Sequence, residues 1–157
     1  MGTIGEVGEF GLIARLTRRL PPGPHVPLGP GDDAAVIAAP DGRVVATTDL
    51  LVEGRHFRRD WSGPYDIGRK AAAQNLADVV AMGARPTALL VGFAAPPGTD
   101  AAWAERLYDG LADECGEAGA SVAGGDVVGA PTITLAVTAL GDLGGAAPLT
   151  RSGARPG

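Results

Sequence analysis

Five aspartates stand where a carboxylate could bind something. Asp32 and Asp33 follow the Gly-Pro-Gly turn of "GPGDDAAV", residues 29–36. Asp49 closes the β-branched run "VVATTD", directly after Thr47 and Thr48, and Asp126 follows "AGG" at what reads as another strand end. Asp78 lies inside the alanine-rich stretch "KAAAQNLADVVAMG", although Asp is a poor helix former and its flanks are apolar. Helical spacing predicts Asn75 on the same face as Asp78, with Lys70 and Gln74 extending that face at four-residue steps. Taken singly, each aspartate has an ordinary reading, as a solvated turn, a turn cap or an exposed helical residue. As a group they say more. Carboxylates gathered on one rim of a sheet, where α/β proteins bind ligands, repel one another unless cations are bound. Hard oxygen donors of this kind suit Mg²⁺, whose shell is completed by water and phosphate oxygens. The chemistry expected is that of a Mg²⁺–polyphosphate site.

That site needs elements to hold it. Residues 10–20 carry Leu12, Ile13, Leu16 and Leu20 at helical spacing and end before Pro21-Pro22. A strand is expected after the Asp32-Asp33 turn, and another over residues 43–54, running out near Asp49. Residues 66–83 read as a helix that starts after Pro64 and stops at Gly83. Residues 87–98 form a continuous apolar run closed by Pro-Pro-Gly, which predicts a buried strand. Thr99 is expected to cap the next helix, with Asp100 in its first turn. Trp103, Leu107, Leu111 and Cys115 mark its buried face, so the Cys115 thiol is expected to be inert. "ASVAGG" and residues 132–140 complete the set as strands. The class is α+β: a mixed sheet covered on one face by two long helices. Residues 1–141 are expected to form one domain, and the Gly/Pro-rich residues 142–157 a linker.

Composition narrows the partners. The 157 residues are 45% hydrophobic and 20% charged, enough for a packed core. No run reaches the roughly 20 apolar residues that span a bilayer. Net charge is −5 and Lys70 is the only lysine among 13 basic residues, with no basic stripe, which argues against nucleic acid. One cysteine permits no internal disulfide and, with no secretory leader in view, points to the cytoplasm. His25 and His56 form no ligand pair, which argues against zinc. Neither a P-loop nor the protein-kinase motif set is present, so ATP would have to be held by another architecture.

The strings "GEFGLIARL", "GPGDDAAV", "TTDLLVEGRHF", "KAAAQNLADVVAMGARP", "AGGDVV" and "LTRSGARPG" occur in the order found in the thiamine-monophosphate kinase family. The chain resembles that family, part of the aminoimidazole-ribonucleotide-synthetase-like ATP-binding superfamily, over nearly its whole length. The resemblance implies direct transfer of a phosphoryl group from ATP to thiamine monophosphate, giving thiamine diphosphate. It implies Mg²⁺ ligands at Asp33, Thr47, Thr48, Asp49, Asp78 and Asp126, with Asp32 behind them. It further implies a nucleotide site lined by Gly125 and Asp126 with Arg151 and Tyr108, a thiamine phosphate contact at His56, and a homodimer built from N-terminal domains. The family continues past "GARPG" into a second domain, so this chain resembles the N-terminal half and is expected not to catalyse the reaction alone. Two alternatives stand beside this reading. One is another ATP-dependent enzyme of the superfamily, such as aminoimidazole ribonucleotide synthetase. The other is a non-catalytic Mg²⁺–nucleotide-binding dimerisation module.

Overall fold

The continuous apolar run becomes the strand on which the rest is built. In the computed structural model, which describes residues 2–155, it is β2 (Arg85–Ala95), with Leu89, Val91 and Phe93 buried. β4 (Thr134–Asp142) pairs with it antiparallel and alternates between buried Leu135, Val137 and Ala139 and the half-buried Thr134, Ala136, Thr138 and Leu140. β1 (Val45–Val52) adds to β4, again antiparallel. β3 (Ser121–Gly129) adds parallel to the other side of β2, so the four-stranded order is β1-β4-β2-β3. A parallel pair needs a crossover. Here it is α4 (Ala101–Glu117).

Two helices cover one face of the sheet, as expected. α3 (Pro64–Ala81) opens with proline at its first position, where a missing N–H costs nothing, and packs on β1, β4 and β2. α4 packs on β3 and lies against α3. The two approach through glycines: a Cβ on Gly68 would stand 2.0 Å from the Leu107 carbonyl oxygen, and one on Gly110 2.0 Å from that of Tyr65. Leu107, Leu111 and Cys115 are buried on α4 as the spacing predicts. Trp103 is only partly covered.

Local expectations need correction at several points. The helix expected over residues 10–20 is α2 (Glu9–Thr17), which ends three residues early, and an unexpected one-turn helix, α1 (Ile4–Val7), capped by Thr3, precedes it. No strand follows Asp33. The residues between α2 and β1 make only isolated bridges, Leu28 with Val36 and Pro30 with Asp32, because no neighbouring strand is there to pair with them. Asp100, not Thr99, caps α4, its side chain accepting from the Ala102 N–H at 2.9 Å. Asp49 and Asp126 lie inside β1 and β3 and do not close them.

Candidate functional site

Alternation along β1 turns Thr47, Asp49 and Leu51 towards the helices; Leu51 is buried and the two polar side chains are half-buried. Lys70, Gln74 and Asp78 form one stripe of α3 that runs beside this strand. Each touches it or the turn that follows. Thr47 Oγ1 donates to Asp78 Oδ2 at 3.4 Å, Gln74 Nε2 donates to Asp49 Oδ2 at 3.0 Å, and Lys70 Nζ donates to the His56 carbonyl. The stripe was visible in the spacing, but its contact with β1 was not. Asn75 does not share it: the side chain is fully buried, with Nδ2 donating to the Ala71 carbonyl at 2.9 Å. Thr48 stands on the opposite face of β1, where its hydroxyl donates to the Val137 carbonyl and accepts from Thr138, both at 3.1 Å.

Beyond the end of α3 the chain passes back over β1. The Leu149 N–H donates to the Met82 carbonyl at 2.9 Å, fastening the segment that leads into a 3₁₀ turn at Arg151–Gly153. Thr47, Asp78 and Arg151 thereby line one pocket. Carboxylate and hydroxyl oxygens beside a guanidinium suit hard cations and the phosphates they bridge. His56 lies further along, in the turn after β1, lining a separate depression with Arg55, Trp61, Asp66 and Lys70.

A second group forms at β3. A Cβ on Gly125 would lie 1.9 Å from the Val91 carbonyl oxygen, so only glycine allows this backbone approach. Asp126 is exposed, near Tyr108. Burial, helped by the Asp126 charge, pushes the Tyr108 phenol well above its ordinary value, and the ring meets Phe93 edge-on at 6.2 Å. Tyr108, Gly125, Asp126 and Leu16 line a small, mainly apolar pocket. Gly125 also borders a neighbouring cleft whose other wall carries Asp32 and Asp33.

The two groups do not share one rim within the chain. The register places Asp49, Val137, Val91 and Gly125 in a row across the sheet, with β1 and β3 as its opposite edges. Three strand spacings separate the ends of that row by roughly 14 Å. Among the described residues no three His, Cys, Asp or Glu side chains come together to hold a metal. Convergence of the aspartates in a single copy is therefore corrected. Local spacing says where a strand is but not which strand it lies beside.

Comparison with known proteins adds a frame to this geometry. Residues 31–143 match the family described as AIR synthase related protein, N-terminal domain. The chain is 54% identical over 155 residues to thiamine-monophosphate kinase of Mycobacterium tuberculosis, covering 99% of this chain and 46% of that protein. A solved structure described as AaThiL complexed with AMPPCP and TMP is similar at 32% identity and a TM-score of 0.62, over 87% of this chain and 42% of the other. The hydrogenase maturation protein HypE is similar at 27% identity and a TM-score of 0.73, over 90% of this chain and 43% of the other. The chain thus spans about half the length of the curated relatives it matches.

Proposed function

The chain belongs to the AIR synthase related family through its N-terminal domain, and from that premise we propose that it is the nucleotide- and metal-binding part of a thiamine-monophosphate kinase. In the reaction, the terminal phosphoryl group of ATP passes to a phosphate oxygen of thiamine monophosphate, leaving ADP and thiamine diphosphate. The observation that carries this reading is the row of oxygens between β1 and α3: Thr47 and Asp78 line one pocket with Arg151, and Asp49 follows two residues along the same face of β1, held by Gln74. Those oxygens fit Mg²⁺, which when bound neutralises phosphate charge and holds the reacting oxygens in place. The protein's own groups then position. Arg151 contacts the nucleotide phosphates, Gly125 and Asp126 line the nucleotide site, and Tyr108 walls its apolar end. His56 meets the phosphate of the acceptor. Such chemistry depends on alignment more than on any covalent group.

We also read the residues after β4 as a linker, from 143 and not from 142 because Asp142 closes the strand, the last two of them lying outside the described residues, and the protein as a cytoplasmic homodimer. The sheet supports the dimer. Its uncovered face carries small side chains, mainly apolar but with Thr48, Thr134 and Thr138 among them, and Leu50 and Val128 stand exposed at the two edges; an open face of this kind favours burial against a second copy. Two sheets closing face to face about a two-fold axis that runs along the strands bring the β1 edge of one beside the β3 edge of the other. Asp49 then meets Asp126 of the second copy, the gathering that one chain does not make. Asp33 and Thr48 join the metal ligands in this reading, Thr48 from the uncovered face, with Asp32 behind.

The test is transfer of the labelled γ-phosphate of ATP to thiamine monophosphate by the protein that carries this chain, in the presence of Mg²⁺. Labelled thiamine diphosphate, absent when Asp49→Asn replaces the wild type, supports the reading. HypE proteins share the fold, so transfer to no thiamine phosphate, with Mg²⁺–ATP still bound, would transfer the site to a different acceptor.

A further inference from the structure

The turn after β1 fixes an imidazole in one state. Glu53 donates its N–H to the Ile133 carbonyl beside β4, at 3.0 Å, so the preceding N–H, of Val52, faces the free edge of the sheet. His56 Nδ1 accepts that N–H at 3.0 Å. A ring nitrogen that accepts carries no proton, and in neutral imidazole the proton then sits on the other nitrogen. The turn leaves His56 little else to adjust. Its own N–H donates to the Val52 carbonyl at 2.9 Å, and Gly54, at φ 81°, donates to the Phe57 carbonyl at 2.8 Å while the Phe57 side chain is buried in the core. Lys70 closes the arrangement from α3, its Nζ donating to the His56 carbonyl.

We propose that Lys70 is a positioning residue for His56: by clamping the turn against α3 it keeps the imidazole in the Nε2–H form, a single aimed donor for an oxygen of a phosphate monoester. This deepens the reading of His56 given above and rests on it for the identity of the ligand. Every polar atom of His56 except Nε2 is occupied by the fold. An imidazole able to swap tautomers would present a donor for part of the time and an acceptor for the rest, and an acceptor repels a phosphate oxygen. Lys70 itself stays beside the ligand as a cation, so its removal acts on both orientation and charge. Arginine keeps the charge and a donor of similar reach, which separates a clamp from a specific requirement for an ammonium.

The experiment is ¹⁵N NMR of the imidazoles in the protein that carries this chain, where His56→Ala identifies the His56 signals. At neutral pH His56 is expected as the Nε2–H tautomer alone. Lys70→Met is expected to give a mixture of tautomers and roughly tenfold weaker binding of thiamine monophosphate, with Lys70→Arg restoring the single tautomer. Thiamine, which lacks the phosphate, is expected to leave the His56 signals unmoved. A wild-type Nδ1–H form, or a Lys70→Met variant with the tautomer unchanged, overturns the proposal. A tautomer that responds to Lys70→Met while thiamine monophosphate leaves His56 unmoved supports the clamp and overturns the choice of acceptor, so the two failures are distinct.

Discussion

Asp49 faces α3 from the edge strand β1 and is already oriented by Gln74. Replacing it with Asn removes one charge and keeps the shape. Asp49→Asn is expected to weaken Mg²⁺-dependent ATP binding by tenfold or more, measured by calorimetry with and without EDTA. Its melting temperature in EDTA is expected to equal or exceed the wild type, since a carboxylate poised for cations is relieved by neutralisation. A lower apo melting temperature with undiminished binding would make Asp49 structural. Cys115 offers the opposite case. Burial first, and the Glu114 charge second, push its thiol up to about 12, so iodoacetamide at pH 8 is expected to leave the native protein unmodified and to alkylate it only in denaturant. Sequence made both residues legible, one by its place after two threonines and one by its helical spacing. It did not show Gln74 against Asp49 or Lys70 against His56, because each pair joins segments whose meeting depends on the tertiary fold. Nor did it show that Thr48 faces away, although the period of two along a strand holds that information once the strand's bounds are known.

Among the elements, α3 matters most for function, since three of its side chains register the β1 edge and its position is set by α4. That packing is glycine-limited on both helices. Gly68→Ala gains about 1 kcal/mol in helix propensity but drives a methyl into the Leu107 carbonyl, and overpacking costs about 1–3 kcal/mol or more where backbone must move. The clash wins. Urea unfolding is expected to show a net loss, and a stabilised Gly68→Ala would refute the tight crossing. A second tie lies at the exit of β4. Asp41 accepts from the Arg43 side chain and N–H and from the Gly145 N–H, which hold its carboxyl below the usual 3.8. A lowered value means that the tie is complete above the ordinary carboxylate range and is lost as pH falls through the lowered value. The Gly145 amide resonance is expected to stay constant from neutral pH to about 4 and to shift below it, and Asp41→Asn is expected to abolish that shift. α3, α4, β2 and β4 were legible because each is long and patterned. The four-residue α1 was not, being too short to show a period. The strand expected after Asp33 failed for another reason: "AAV" suits a strand, yet a strand exists only where a partner edge accepts its hydrogen bonds.

At the scale of the whole molecule the strand order decides how a site can be completed. β1 and β3 are the two edges, and the aspartates that sequence grouped together are divided between them. Either the β1 cluster binds Mg²⁺–ATP without Asp126, or Asp126 comes from a second copy. Mixing variants separates these. Asp49→Asn and Asp126→Asn are each expected to lose binding as homodimers, because every site in them lacks one carboxylate. In a mixed dimer, one site carries both defects and the other carries neither, since its Asp49 and Asp126 come from the two unmutated edges. Random exchange of subunits in equal mixture makes half the dimers mixed, so about a quarter of the wild-type sites should return. Calorimetric titration with Mg²⁺–ATP after exchange by mild denaturation measures that stoichiometry, and light scattering verifies the dimer at the same concentration. If each site were built from one chain, no mixture of the two variants could restore it. Binding that stays at the level of the separate variants would therefore return the whole site to a single copy and leave the uncovered sheet face without a role in nucleotide binding.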